Sequence, residues 1–455
     1  MSTVVAATTA EKETQLIDRL DHLPFTPRHR RVLFGSGLGW AFDAMDVGLI
    51  TYIIAVLTTQ WGLTGVQKSA IVSAGFIGMA IGATLGGKLA DRIGRRNVFT
   101  ITLIVYGIAT GASAFAGGVV VLIILRIIVG LGLGAELPVA STLVSELSPR
   151  RIRGSIVVWL EAFWAFGWIL AALIGFFVIP LSDNGWRWAF AIGALPALYS
   201  VYLRWDIPES VRYLLRKGKV SEAEQVVEQF EESARAAGQP LVVEDDIVDE
   251  PVVAGATSIF APTMRTRTAA IWIIWFMINF GYYGAFVWIP SILHEGGFTL
   301  VKSFGFTLII TLAQIPGYAL SAYLIERWGR RPTLSLFLVG SALSAVAFGF
   351  GFADWAVILT GCLLSFFNLG AWGALYALTP EIYPTNIRGT GAGSAAGFGR
   401  IASIVAPFAV TALLAVGAVE GGNRTLLFAV LALAFVIAAA ATRFLPELKG
   451  SALQQ

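Results

Sequence analysis

Charge is what this chain has least of. Only 13% of its 455 residues are Asp, Glu, Lys or Arg, against about 25% in water-soluble domains. With 56% hydrophobic residues, too little polar surface remains to cover a soluble globule, so lipid must be most of the solvent. Cysteine is nearly absent: Cys362 stands alone inside an apolar run, which excludes an intrachain disulfide and any multi-thiolate metal centre. His22, His29 and His294 fall outside the apolar runs or at their edges, with no Ser-His-Asp arrangement or metal-ligand spacing around them. An enzyme is therefore not expected, nor a metal or cofactor. Polar and apolar residues do not alternate within the runs, which excludes a spanning β-barrel. The N-terminal 30 residues lack a basic stretch followed by an apolar one, and no cleaved signal is expected.

What is present is apolar length. Runs recur near 32–58, 69–87, 98–116, 119–145, 155–180 and 186–205, then 269–293, 304–325, 333–352, 355–379, 390–415 and 425–445. Each is long enough to cross a core of roughly 30 Å at about 1.5 Å per helical residue. The 49 glycines, with many Ala and Ser, suit helices that pack closely in lipid. An all-α membrane protein of twelve spans is expected. Its basic residues gather in the N-terminal arm, alternate loops, the central linker and the tail, whereas Lys68, Arg187, Lys302 and Arg424 face the other way. The positive-inside rule then places both termini in the cytoplasm.

The chain repeats itself. Gly87-Lys-Leu-Ala-Asp91-Arg92-Ile-Gly94-Arg95-Arg96 matches Ala322-Tyr-Leu-Ile-Glu326-Arg327-Trp-Gly329-Arg330-Arg331, an offset of 235 residues (91 to 326). The same offset carries Glu146-Leu-Ser-Pro149-Arg-Arg-Ile-Arg153-Gly154 onto Glu381-Ile-Tyr-Pro384-Thr-Asn-Ile-Arg388-Gly389. Two motifs sharing one offset mean a duplicated unit, and six spans per unit makes the repeats parallel. The expected division is an arm (1–31), a first half (32–205), a linker with one short amphipathic helix (206–268), a second half (269–445) and a tail (446–455). Parallel repeats place a ligand path at their interface near the membrane midplane.

A charge at mid-membrane costs about 2.5–3.5 kcal/mol even on mild scales, so ionisable residues inside spans are functional candidates. Asp43 and Asp46 map at the repeat offset to Ile278 and Gly281, Arg126 to Gly361, Glu136 to Ala371, Glu161 to Ala396, and Arg400 to Ala165. All break the duplication, as a site added to a shared scaffold would. A buried acid beside a buried arginine can alternate between paired and protonated states, so Asp46, Arg126 and Glu136 are candidates for proton coupling. The alternative for Asp46 and Arg126 is a purely structural ion pair. Trp164, Trp168 and Trp372, with Tyr282, Tyr283 and Trp288, are candidate cavity aromatics.

The paired loop motif, together with Arg126-x-x-x-Gly130-x-Gly132-x-Gly134, resembles the major facilitator superfamily over nearly the whole chain. In that resemblance the acids, glycines and arginines of the loops act as a gate between states. Its second copy departs at Ala322 and Glu326, where the first has Gly87 and Asp91. Trp40-Ala-Phe-Asp43-Ala-Met-Asp46, Pro208-Glu-Ser-Val-Arg212-Tyr and Gly399-Arg400-Ile-Ala-Ser-Ile-Val-Ala-Pro407 look like bacterial niacin permeases and are similar to the synaptic-vesicle and organic-ion branch. The resemblance implies a bacterial inner-membrane, proton-coupled importer of nicotinate or nicotinamide. It also implies Arg400 for the substrate's carboxylate, with Asp43, Trp164 and Trp372 in the pocket. Asn279, Gln314 and Asn368 are alternatives for the ring nitrogen. An aromatic-acid symporter, a sugar porter and a non-transporting sensor of the same fold remain open. A small aromatic carboxylate, protons and the bilayer are the expected partners; nucleic acid is not, and the expected state is a monomer.

Overall fold

The structure is a computed structural model that describes residues 2–242, 258–351, 353–384, 387–416 and 424–447. Side chains 2–10, 137, 138, 151, 153–155, 157 and 158 lie outside that description, as do most of the expected tail and the acidic part of the linker. All regular structure described is helical.

Helix α1 (Ser2–Asp21) precedes six crossings: α2 (Pro27–Trp61), α3 (Gly65–Ile93), α4 (Arg95–Ser113), α5 (Val119–Glu146), α6 (Arg153–Phe177), and α7 (Gly185–Ile192) continued by α8 (Leu195–Asp206). Two short helices follow, α9 (Val211–Arg216) and α10 (Val220–Ala236). Six more crossings are α11 (Arg265–Phe286) with α12 (Ile289–Glu295), α13 (Leu300–Leu312) with α14 (Gln314–Trp328), α15 (Arg330–Phe350), α16 (Asp354–Glu381), α17 (Arg388–Ala415) and α18 (Arg424–Ala441). Among the described residues ten stretches are long and apolar enough to span a membrane by themselves. The other two crossings are α4, which opens on Arg95 and Arg96, and the pair α7–α8, interrupted just before Pro196.

Local chemistry sets the ends. Thr26 and Thr64 cap α2 and α3 with reciprocal bonds to His29 and Gln67. Gly94 and Gly329 turn the chain between α3 and α4 and between α14 and α15 at φ 102° and 109°, a conformation side chains disfavour, so both motif copies need glycine there.

The same neighbours recur in both halves. α2 packs on α6 as α11 packs on α17, α3 on α5 as α14 on α16, and α4 on α5 and α8 as α15 on α16 and α18. Glycines make the α3–α5 contact close: a Cβ on Gly78, Gly82 or Gly134 would meet backbone at 2.3, 2.2 or 2.0 Å. The halves meet through α3 with α17 and α6 with α13. Trp159, Trp188, Trp205, Trp328 and Trp355 are exposed near the two ends of the bundle, where aromatic belts sit at membrane interfaces.

Helix α1 lies against α10 outside the bundle, held by Arg19 to Glu231 at 2.8 Å and Lys12 to Glu224 at 2.9 Å. The hydrogen bond and charge of Arg19 hold the Glu231 carboxyl below its ordinary value, while burial opposes them.

Candidate functional site

The first site is an ion pair inside the first half. Asp46 of α2 accepts from Arg126 Nη1 at 2.8 Å and from Thr110 Oγ1 of α4 at 2.6 Å. Both charged residues are buried, as an ion pair in lipid must be if its partner is to replace water. Beside it lies a cavity of about 10 Å³ lined by Val47, Gly75, Phe76 and Arg126, the space of one water.

The second site is the seam between halves. Arg400 of α17, half-buried, lies beside Tyr283 of α11 and within electrostatic reach of Glu161 of α6. Around them stand Trp164, whose Nε1 donates to the Tyr282 hydroxyl at 3.3 Å, and Trp372, whose ring lies 5.9 Å from Tyr282 and 5.5 Å from Trp275. Trp40 packs tilted against Trp164 with ring centroids 5.0 Å apart, and Trp168 meets Tyr282 edge-on at 5.7 Å. Aromatic side chains from α2, α6, α11 and α16 therefore converge near one cationic group, an arrangement suited to a flat anion.

The structure distributes the expected residues unevenly. Trp164, Trp372, Tyr283 and Arg400 come together, and Asp46 meets Arg126. Asp43 is 1% exposed, and the ionisable groups beside it are Glu136, Tyr106 and Asp46, which places it in the interior of the first half. Asn279 is already engaged, donating to the Trp275 carbonyl at 2.7 Å and accepting from Ser403 at 3.0 Å. Gln314 and Asn368 are wholly buried with amide atoms that have no partner. Glu161 was legible as a duplication-breaking acid, but nothing in sequence spacing tied it to Arg400.

The two loop motifs form matching clusters. In the first, Arg95 pairs with Asp91 at 3.0 Å and with Glu146 at 3.3 Å, while Glu209 accepts the backbone N–H groups of Arg95 and Arg96 at 2.9 and 3.2 Å. Ser210 also donates to Glu146. In the second, Arg330 pairs with Glu381 at 3.0 Å, and Glu447 accepts from the N–H groups of Arg330 and Arg331 at 3.3 and 3.2 Å. Exposed Glu326 forms no ion pair among the described residues, whereas Arg327 lies over Tyr323 and Arg388 donates to the Pro380 carbonyl. Gly87 and Arg92 flank the first cluster; the side chain of Arg153 lies outside the described residues. Sequence reasoning missed that Pro208-Glu209 and Pro446-Glu447 are a third repeated element, visible as a Pro-Glu pair after each half.

Hydrogen bonds that join the halves gather away from these clusters. At the opposite end Lys68 pairs with Glu295 at 2.7 Å, Ser69 donates to the Pro407 carbonyl at 2.8 Å, and Ser73 donates to that of Ile404 at 2.8 Å.

Two parallel six-helix halves, with buried charges and an aromatic cluster at their seam, define a secondary-transporter architecture. A family description of sugar (and other) transporters matches residues 31–455, and the chain belongs to that family. It is 47% identical to the niacin transporter of Acinetobacter baylyi over 88% of this chain and 90% of that one. It is 45% identical to a putative niacin/nicotinamide transporter of Bacillus subtilis, over 85% and 89%. The synaptic vesicle 2-related protein of Rattus norvegicus is 29% identical over 92% and 78%. In fold it is similar to the xylose transporter of E. coli in a partially occluded inward-open conformation, with TM-score 0.71 and 19% identity over 93% of this chain and 100% of that one. The chain is a membrane transporter and not an enzyme.

Proposed function

We propose that the protein is a proton-coupled importer of nicotinate, or of nicotinate and nicotinamide, in a bacterial inner membrane. One observation carries the reading: a single seam arginine, Arg400, set among Trp164, Trp372 and Tyr283. The names of the two relatives near half identity agree with it. The ring stacks between tryptophans while the carboxylate takes charge-assisted bonds from Arg400, in place of Glu161. Gln314 or Asn368, whose amides have no partner, donates to the ring nitrogen.

Asp46 and Arg126 are the coupling pair. Protonation of Asp46 neutralises the carboxylate and releases Arg126, which lets α2 and α5 shift. One charge moving through 100 mV is worth about 2.3 kcal/mol, enough to drive uptake. With the basic end and both termini cytoplasmic, the closed end is external, and the state is inward-facing. Residues 32–205 and 269–445 rock as units about the seam, and the arginine clusters hold each unit at its cytoplasmic rim. A monomer contains the whole path.

Uptake of labelled nicotinate into proteoliposomes, with and without an imposed pH gradient, tests the reading; absence of uptake in both overturns it. Arg400→Ala should weaken nicotinate by about 10- to 100-fold, from the ~1.5–3 kcal/mol of a charged hydrogen bond. Nicotinamide should lose far less, and equal loss removes Arg400 from the carboxylate role. Asp46→Asn should abolish stimulation by the gradient.

A further inference from the structure

Among the acids inside the crossings, Asp46 is held by Arg126 and Glu161 faces Arg400, but Asp43 and Glu136 are left with each other. Asp43 is 1% exposed and Glu136 0%. None of their four carboxylate oxygens receives a hydrogen bond of normal geometry, although the two acids and the equally unpartnered Tyr106 hydroxyl lie within interaction range. The backbone of α2 makes room for the arrangement: a Cβ on Gly39, one turn from Asp43, would stand 2.8 Å from Glu136 Oε1. The remaining ionisable neighbours are Asp46 on α2 and Tyr199 on α8. Among the described residues no basic side chain donates to either acid.

Two desolvated carboxylates without a countercharge cannot both remain ionised, because each loses its hydration and each repels the other. A single proton removes one charge and supplies the donor that both lack. We propose that Asp43 and Glu136 hold one proton between them, forming a proton-binding site distinct from the Asp46–Arg126 pair. Asp43 lies one turn from Asp46 toward the basic end, and Glu136 lies in the same direction from Arg126 along α5. A proton leaving Asp46 toward that end meets this site next. The site is independent of which solute the seam carries.

Infrared difference spectroscopy of the full-length protein in lipid, at neutral pH in H2O and D2O, tests it without measuring transport. Wild type should show the carbonyl stretch of a protonated carboxylic acid, downshifted in D2O. That band should shift or vanish in Glu136→Gln and in Asp43→Asn, vanish in the double variant, and persist in Asp46→Asn. The amides resemble the protonated acids in shape, which favours intact folding. Absence of the band in wild type, its survival in the double variant, or its loss in Asp46→Asn would each overturn the proposal.

Discussion

Arg126 and Arg400 share one membrane-embedded core but are balanced differently. Arg126 is locked to Asp46 within its own half, whereas Arg400 faces Glu161 across the seam, where relative motion of the halves can alter the contact. That contrast fits a coupling role for the first and a cargo role for the second. Sequence legibility ends at such contacts: Asn279, Gln314 and Asn368 looked equivalent along the chain, and only packing showed that Asn279 spends its amide on Trp275 and Ser403. Outside the membrane, Arg19 and Glu231 give a pH prediction. Glu231 has a lowered folded value, so the stabilisation from this part-buried pair, about 1 kcal/mol, is whole above the ordinary carboxyl value of 4.5. It is lost as pH falls through the lowered value. The protection factors of the α1 amides, which divide out the intrinsic slowing of exchange at lower pH, should decrease over that fall, and Glu231→Gln should lower protection already at neutral pH and remove the Glu231-dependent part of the pH response.

At the scale of elements, glycine spacing decides how closely α3 and α5 approach. Gly134→Ala adds a methyl 2.0 Å from the Met79 carbonyl oxygen, and backbone cannot rotate away as a side chain can. Alanine would gain up to about 1 kcal/mol in helix propensity, but overpacking costs about 1–3 kcal/mol, so the clash wins. Thermal unfolding of the purified variant should occur at lower temperature than wild type, and an unchanged midpoint would contradict this packing. The glycine-rich pattern was readable in sequence; which helix it faced was not. Likewise the breaks at α7–α8, α11–α12 and α13–α14 lie inside apolar runs that read as continuous.

For the whole molecule, the halves are stitched at the end remote from the arginine clusters, where Lys68, Ser69 and Ser73 reach Glu295 and the backbone of α17. A Cβ on Gly65 would stand 2.2 Å from Thr411 Cγ2 across that junction. Gly65→Trp should therefore wedge this end open and stop cycling. In a Cys362→Ser background, Ser69→Cys should react about tenfold faster with an impermeant thiol reagent applied from outside, the change that a shift of about 1.4 kcal/mol produces. Unchanged reactivity would mean that this contact does not hold the end closed.

Apolar run length, the fixed repeat offset and the placement of basic residues determined the membrane class, the duplication and the acids and bases most worth following, because each depends only on composition and spacing along the chain. Which of those groups became partners was decided by tertiary structure alone. Asp46 with Arg126, Arg400 opposite Glu161, and Asp43 beside Glu136 are meetings between residues distant in sequence. Such meetings depend on how helices rotate and pack against one another, which no local pattern encodes.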